Sequence, residues 1–448
     1  MTKSGDGRVS PVAGTGRMCP ERQYVLRIHI MWWKNAVIYE VYVDKFAKNF
    51  KGMAEKLPYL KNLGINTIWL LPHYPSPMVD DGYDISDYMN VRRDLGALDD
   101  FKEFTQKAHE MGIRVIVDFV LNHISIKHPW FVEASNSQDN PKRNYFFWSK
   151  TGKEFSLAYN PFSHMTEGNW IWNEKTGDYY YATFFDEQAD LNWDNPAIFD
   201  EALKIIDFWA GLGVDGFRLD AIGHLIKREG TDCRHLPEVH QILKRLRAHL
   251  DKKWPEVIFL AEAGGRIRET IKYFGNGDEC HMAFNFGLMA YIYLSIKRKN
   301  FSIINNFVKE FSDIPDNCQW ATFISNHDEI TFTPLEKEEE RKEVVDWLDP
   351  EGKYSFRGGR GVSMRLATVF RGDKEKILNI FKILFSLPGA PVIYYGSEIG
   401  MENLQLVEKP TDSRKYVRGE FDWQEAEKQM NDRDSLFSQI SKMIKNRG

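Results

Sequence analysis

The sequence has few cysteines, no long apolar run and little net charge. Its four cysteines follow neither a metal-ligand spacing nor a CxxC spacing, so they predict reduced, mostly buried thiols of a cytoplasmic protein. No apolar run approaches the ~18–20 residues needed to cross a membrane, so no membrane partner is expected. The net charge is −5, from 59 basic and 64 acidic residues. That balance gives no electrostatic basis for binding nucleic acid.

Residues 1–30 differ in character from the rest of the chain. They are rich in Gly, Ser and Thr up to about Gly16, and they show no apolar period. The run at residues 24–30 is too short and too charged for a signal peptide. We expect residues 1–30 to be a disordered N-terminal extension, or an upstream start with Met31 as the natural first residue.

From Met31 onward, β-branched runs alternate with amphipathic stretches, a pattern typical of repeated βα units around a parallel sheet. Eight such runs are predicted as strands, at residues 36–42, 66–71, 114–120, 216–221, 257–262, 282–286, 320–325 and 391–395. Eight strands with intervening helices predict an α/β fold, the (β/α)8 TIM barrel. We assign residues 31–122 and 187–448 to the barrel, and residues 123–186, rich in Trp, Tyr, Asn and Gly, to a small inserted subdomain.

Polar residues gather where these strands end. Asp118, Asn122 and His123 end the third strand, Arg218 and Asp220 end the fourth, Glu262 ends the fifth, and His327 and Asp328 end the seventh. Any one of them has a plain alternative as the N-cap of the next helix. Together they indicate an active site, because the C-terminal ends of barrel strands meet at one mouth.

Arg218 and Asp220 form the most informative pair. Strand side chains alternate with period two, so these residues share one face of the fourth strand. A guanidinium beside a carboxylate favours the ionised form, and we therefore expect Arg218 to lower the pKa of Asp220. An ionised carboxylate at the end of a buried strand suits the nucleophile of a glycosidase.

Four ordered segments of the chain resemble the signatures of the α-amylase family, glycoside hydrolase family 13. They are residues 118–123 (DFVLNH), 216–221 (GFRLDA), 261–263 (AEA) and 325–328 (SNHD). Two further segments match, residues 188–192 (QADLN) and 389–396 (GAPVIYYG). Residues 72–77, 228–233 and 277–284 also resemble the trehalose synthase branch of this family.

The resemblance implies a role for each matching residue. Asp220 is expected to be the nucleophile that forms a covalent glucosyl intermediate, Glu262 the acid and base, and Asp328 the residue that holds the 2- and 3-hydroxyls of the sugar. The resemblance assigns the remaining substrate contacts to Asp80, Tyr83, His123, Arg218, His327 and Arg418. The implied substrate is an α-glucan or an α-linked disaccharide, and no organic cofactor is expected.

A structural Ca²⁺ ion is also implied. In calcium-binding relatives the ligands match Asn122, Asp190 and the backbone carbonyl of His224. These are hard oxygen ligands, which calcium requires.

Three functions remain open from the sequence. The first is hydrolysis of α-1,4 bonds in maltose and maltooligosaccharides, and the second is isomerisation of maltose to trehalose. The third is a catalytically silent binding subunit, which the three carboxylates disfavour. Other transfers, such as sucrose phosphorolysis, depend on residues 124–186 and 331–360. The resemblance further implies a C-terminal β-sandwich domain, for which no residues follow Gly448, and the oligomeric state is not predicted.

Overall fold

The computed structural model describes residues 31–447, and within them the eight predicted strands close into one parallel barrel. The predicted (β/α)8 fold is therefore confirmed. Residues 1–30, the predicted extension, lie outside the described residues.

Strands and helices are numbered separately in chain order over the described residues. The strands are β1 Ile38–Val41, β2 Thr67–Leu70, β3 Arg114–Val120, β4 His123–Ser125, β5 Trp148–Ser149, β6 Trp170–Asn173, β7 Asp178–Tyr181, β8 Gln188–Asp190, β9 Gly216–Asp220, β10 Ile258–Ala261, β11 Met282–Phe284, β12 Gln319–Thr322, β13 Ile330–Thr331, β14 Ser355–Phe356, β15 Gly361–Val362 and β16 Ala390–Tyr394. The α-helices are α1 Val43–Ala47, α2 Phe50–Leu63, α3 Leu98–Glu110, α4 Pro129–Ala134, α5 Pro196–Gly211, α6 Pro237–Lys253, α7 Ile267–Thr270, α8 Phe286–Arg298, α9 Ser302–Phe311, α10 Glu338–Leu348, α11 Leu366–Val369, α12 Lys374–Ser386, α13 Trp423–Met430 and α14 Leu436–Lys445.

The barrel contains β1, β16, β12, β11, β10, β9, β3 and β2, in that order around the ring. Its strands are almost wholly buried because helices cover their outer face and side chains fill the interior. The register between β3 and β9 places Asp118 beside Arg218 and Val120 beside Asp220. The strand pairing itself thus brings a carboxylate of one strand to the guanidinium of the next.

Local sequence explains where the helices around the barrel begin and end. The side chain of Asn49 caps the start of α2 by accepting a hydrogen bond from the backbone N–H of Gly52. Gly64 ends that helix with φ of 105°, a left-handed conformation that favours glycine. Because α2 ends there, the chain turns back at once into β2.

Between β3 and β9 the chain leaves the barrel and forms two small antiparallel sheets. One pairs β4 with β8, and the other has the order β5-β7-β6. The second sheet lies wholly inside residues 123–186, whereas β8 lies just beyond them. The boundaries of the inserted subdomain stay a prediction.

A further small sheet, which the sequence did not predict, follows the seventh barrel strand. Strands β13, β15 and β14 pair antiparallel between residues 330 and 362. Two-residue strands carry too little hydrophobic periodicity to be recognised from sequence. Among residues 31–447 no helix has both the length and the apolar character to cross a membrane.

Candidate active site

Arg218 lies at the centre of the strand ends and contacts three carboxyl groups. Its Nη1 donates to Asp118 Oδ1 and to Asp220 Oδ1, both at 2.5 Å, and its Nη2 lies 3.1 Å from Glu262 Oε2. The indole of Trp69 donates to the other oxygen of Asp118 at 2.9 Å. A single guanidinium therefore fixes Asp220 and Glu262 relative to one another.

The backbone after Asp220 also helps to position Glu262. Ala221 adopts a left-handed conformation, with φ of 47°, which is uncommon for a residue with a Cβ. In that conformation its N–H donates to Glu262 Oε2 at 2.9 Å. The turn that ends β9 thus holds the carboxyl group that ends β10.

Burial raises the pKa of two carboxyl groups in this cluster. Burial raises the pKa of Asp118 to about 6, against the opposing effect of Arg218. Burial also raises the pKa of Asp220, Arg218 opposes the rise, and the carboxylates of Glu262 and Asp118 add to it. The expectation that Arg218 lowers the Asp220 pKa is therefore wrong in net direction, because burial outweighs the ion pair. Both aspartates accept hydrogen bonds from Arg218, yet burial keeps the pKa of each above its ordinary value.

Asp328 has the opposite environment, since two arginines hold it ionised. Arg418 Nη2 donates to Asp328 Oδ1 at 2.8 Å, and Arg414 Nη1 reaches the same oxygen at 3.2 Å. Burial opposes ionisation, but His327, Arg414 and Arg418 together hold the pKa of Asp328 well below its usual range. Asp328 is thus held as a carboxylate beside two carboxyl groups whose pKa is raised.

Tyr83 and His327 form one wall of the site. Their rings stack with centroids 5.5 Å apart, and the Tyr83 hydroxyl lies 2.7 Å from His327 Nε2. The other ring nitrogen of His327 lies 2.5 Å from Glu40 Oε1, and the His327 backbone N–H donates to the same oxygen at 3.0 Å. Glu40, on β1, fixes the orientation of the imidazole.

Asp80 is anchored from two directions. Arg414 Nη2 donates to Asp80 Oδ1 at 2.7 Å, and the amide of Gln188 donates to Oδ2 at 3.0 Å. His123 lies nearby in the cavity wall with its buried Nε2 lacking any hydrogen-bond partner among the described residues. Burial lowers the pKa of His123 to about 4, so it is a neutral imidazole with one free polar nitrogen.

These side chains surround a cavity of about 500 Å³, a size that suits a small ligand. Among the residues predicted from the sequence, those that line it are Asp80, Tyr83, His123, Asp220, His224, Glu262 and Asp328. Arg218, His327 and Arg418 lie behind this lining and contact it. The structure therefore brings all nine predicted catalytic and substrate residues together, while their roles stay predictions.

The three predicted calcium ligands surround a lysine. The ammonium of Lys227 lies 2.8 Å from Asp190 Oδ2 and 3.2 Å from Asn122 Oδ1, and it also donates to the carbonyl of His224. Its side chain is 1% exposed and that of Asp190 is 0% exposed. A lysine ammonium already satisfies the oxygens that would bind the metal, so these residues do not fit the predicted calcium ion. Within residues 31–447 no other group of His, Cys, Asp and Glu is arranged for a metal.

Sequence reasoning missed Arg414 and Lys227. Arg414 contacts Asp80, Asp328 and Asp412 at 2.7–3.2 Å, and the only signal for it is its position four residues before Arg418. Lys227 lies three residues after His224 and directly precedes Arg228. That spacing does not show that the Lys227 side chain turns inward to the predicted metal position.

Comparisons with known proteins identify related sequences. Residues 41–348 match the family model described as the alpha amylase catalytic domain. The chain is 41% identical over 382 residues to the trehalose synthase/amylase TreS of Mycobacterium tuberculosis, covering 83% of this chain and 63% of that protein. It is 42% identical over 379 residues to the trehalose synthase of Thermus thermophilus, covering 83% of this chain and 39% of that protein. The chain thus spans less than two thirds of either relative.

One solved structure supports the fold alone. The isomaltulose synthase of Klebsiella sp. LX3 superposes with a TM-score of 0.72 at 24% sequence identity, covering 93% of this chain and 84% of that one.

Proposed function

This chain belongs to the α-amylase family, and from that premise we propose that it cleaves α-1,4-glucosidic bonds of maltose and short maltooligosaccharides with retention of configuration. The observation that carries the proposal is the single guanidinium of Arg218, which holds Asp220 and Glu262 side by side at the cavity floor. A retaining glycosidase needs one carboxylate as nucleophile and one carboxylic acid as proton donor.

In the first step Asp220 attacks C1 of the bound glucose. Its Oδ1 accepts from Arg218, and no hydrogen bond from the described residues reaches Oδ2, which is free to bond to carbon. Glu262, in its protonated form, gives its proton to the glycosidic oxygen as the C1–O bond breaks. The products of this step are a glucosyl ester of Asp220, an ionised Glu262 and the released sugar.

In the second step the ionised Glu262 takes a proton from water. The water oxygen bonds to C1, and the ester to Asp220 breaks, which regenerates both groups. The permanent carboxylate of Asp328 stabilises positive charge that develops on the sugar ring in both transition states.

The inner end of the cavity is closed, and this favours action on a terminal glucose. Arg414 bridges Asp80 and Asp328, and Arg418 bridges Asp81 and Asp328. These ion pairs join the loop after β2 to residues 414–418 beside Asp328. We therefore propose removal of one glucose at a time.

A substitution of the proposed nucleophile tests the mechanism. Asp220→Asn removes the nucleophile and should lower kcat on maltose by about 10⁴-fold or more. The matched control is Asp313→Asn, an exposed aspartate outside the cavity, which should behave as the unaltered protein. Activity above a few per cent in the folded Asp220→Asn protein would remove Asp220 from this role.

Isomerisation of maltose to trehalose is the second candidate, favoured by the 41–42% identity to proteins named trehalose synthase. In that reaction the released glucose, rather than water, attacks C1 of the ester. Incubation with maltose and separation of the products decides between the two. Trehalose before glucose selects isomerisation, glucose alone selects hydrolysis, and no product from any α-glucoside supports a silent binding subunit.

A further inference from the structure

The solvent side of the cavity is lined by arginines. The cations already assigned to the site, Arg218, Arg414 and Arg418, are buried. The other arginines of the cavity wall are partly or fully exposed and come from four separate segments: Arg234, Arg266, Arg268, Arg341, Arg357 and Arg360. Chain segments far apart in sequence thus bring several guanidinium groups to the same opening.

Half of these cations already have a carboxylate partner. Arg357 lies 2.5 Å from Glu329, Arg234 lies 2.8 Å from Asp232, and Arg268 lies 4.0 Å from Glu269. Their charges are therefore balanced within the protein.

The remaining three arginines of the cavity wall are not paired with a carboxylate of the described residues. Arg266, Arg341 and Arg360 have no carboxylate within 4.0 Å among the described residues. Arg341 donates only to the backbone carbonyls of Leu335 and Glu336, through Nε and Nη2. The cavity mouth therefore carries uncompensated positive charge, which favours an anionic ligand.

The position of Arg266 shows which part of a substrate would meet this charge. Arg266 follows the proposed acid Glu262 by four residues, and Gly264 and Gly265 lie between them. A Cβ at Gly264 would meet no atom within 4 Å, so the space beside Glu262 on this side is open. Because Glu262 faces the leaving oxygen, the leaving sugar lies in this direction.

We propose that the cavity takes an α-glucoside whose leaving sugar carries an anionic group, a phosphate ester or a carboxylate, bound by Arg266, Arg341 and Arg360. The guanidinium fork matches the oxygens of either anion. This inference rests on the proposed function, since the roles of Glu262 and Asp220 define the leaving side.

Matched substrates test the proposed preference for an anionic leaving sugar. Maltose is compared with maltose phosphorylated at C6 of its reducing glucose, and with glucosyl-α-1,4-glucuronate. We expect kcat/KM for one or both anionic substrates to exceed that for maltose by about tenfold or more, a modest factor because the arginines are partly exposed. Preference for the phosphate alone or for the carboxylate alone identifies the anion. A kcat/KM for maltose equal to or above both anionic values would overturn the inference.

Variants assign the preference to these arginines. In Arg266→Gln/Arg360→Gln the ratio of anionic to neutral kcat/KM should fall at least about fivefold, and in wild type it should fall with added salt. If the double variant does not fold, the ratio is measured in the single variant Arg360→Gln, at an exposed position. The control Arg433→Gln, an exposed arginine outside the cavity, should keep the wild-type ratio. An unchanged ratio in the double variant would refute the role of these residues.

Failure of the proposed function can be distinguished from failure of this inference. If no disaccharide is cleaved, the proposed function fails, and calorimetry with glucose 6-phosphate and glucose decides the present inference. Binding of glucose 6-phosphate about tenfold tighter than glucose, and weakened in the double variant, supports an anion site. Equal affinities, or no binding of either sugar, would overturn it.

Discussion

Replacing Lys227 tests the assignment of its ammonium to the predicted metal position. Lys227→Met keeps the length of the side chain and removes only its charge. The carboxylate of Asp190 then remains buried with no cation, held by the backbone N–H of Thr183 at 2.9 Å and by the Thr183 hydroxyl. Breaking a fully buried ion pair by removing one partner costs about 3–5 kcal/mol.

The loss of stability should be measured as the shift in the urea midpoint of unfolding, with activity as an independent probe of the native state. Lys204→Met is the matched control, because Lys204 pairs with Glu201 at 3.1 Å but its side chain is 64% exposed. Such a surface pair contributes about 0–1 kcal/mol. The double variant Lys227→Met/Asp190→Asn should recover most of the loss, since no unpaired charge remains buried.

Measurements with and without calcium can refute this assignment of Lys227. If the ammonium takes the place of the metal, neither EDTA nor added Ca²⁺ should change the melting temperature of the unaltered protein. Lys227→Glu should instead be destabilised without calcium and regain about 2.7 kcal/mol at a concentration 100 times its dissociation constant. Melting of the unaltered protein at a lower temperature in EDTA, or equal losses in Lys227→Met and Lys204→Met, would refute the reasoning.

Three further predictions concern acid stability, proton donation and the closed end of the cavity. Burial lowers the pKa of His73 to about 3, below 6.5 in the unfolded chain, so stability is present above pH 6.5 and is lost as the pH falls towards 3. As the pH falls from about 7.5 to about 4.5, the free energy of unfolding of His73→Phe, measured with urea, should therefore rise by about 2–3 kcal/mol relative to that of wild type. A stability difference that stays constant with pH would contradict the pKa shift. Glu262→Gln should lose far more kcat on glucosides with alcohol leaving groups than on a dinitrophenyl glucoside, whose leaving oxygen needs no proton; equal losses would count against an acid role. Arg414→Gln breaks the bond to Asp80 and should raise KM for maltose by about tenfold; an unchanged KM, measured beside Arg433→Gln, would show that Arg414 does not shape the subsite.

The barrel could be predicted from the sequence because its signals are local. Apolar runs such as Ile38–Val41 and Arg114–Val120 have the length and the β-branched content of buried strands, and glycines such as Gly64 mark the turns between elements. The placement of Asp118 beside Arg218 follows from strand order and register once the eight strands are assigned.

The remaining features of the site depend on contacts between residues far apart in sequence, which no local pattern contains. Arg414 and Asp80 are separated by 334 positions, and nothing near either residue specifies the other. The Asp220 pKa depends on how deeply the finished barrel buries this residue, and the prediction from sequence considered Arg218 but not desolvation. The ammonium of Lys227 lies at the predicted calcium position because its side chain turns inward, which spacing alone does not fix.

The ion pairs that close the cavity also have a consequence for the order of folding. Asp80 and Asp81 follow the second barrel strand, while Arg414 and Arg418 follow the last one, 334 and 337 positions away. Contacts of such long sequence separation form late, because loop-closure entropy must be overcome first. A refolding chain should therefore regain its helical circular dichroism before it can bind a sugar, and recovery of binding marks the moment at which the two ends of the barrel meet.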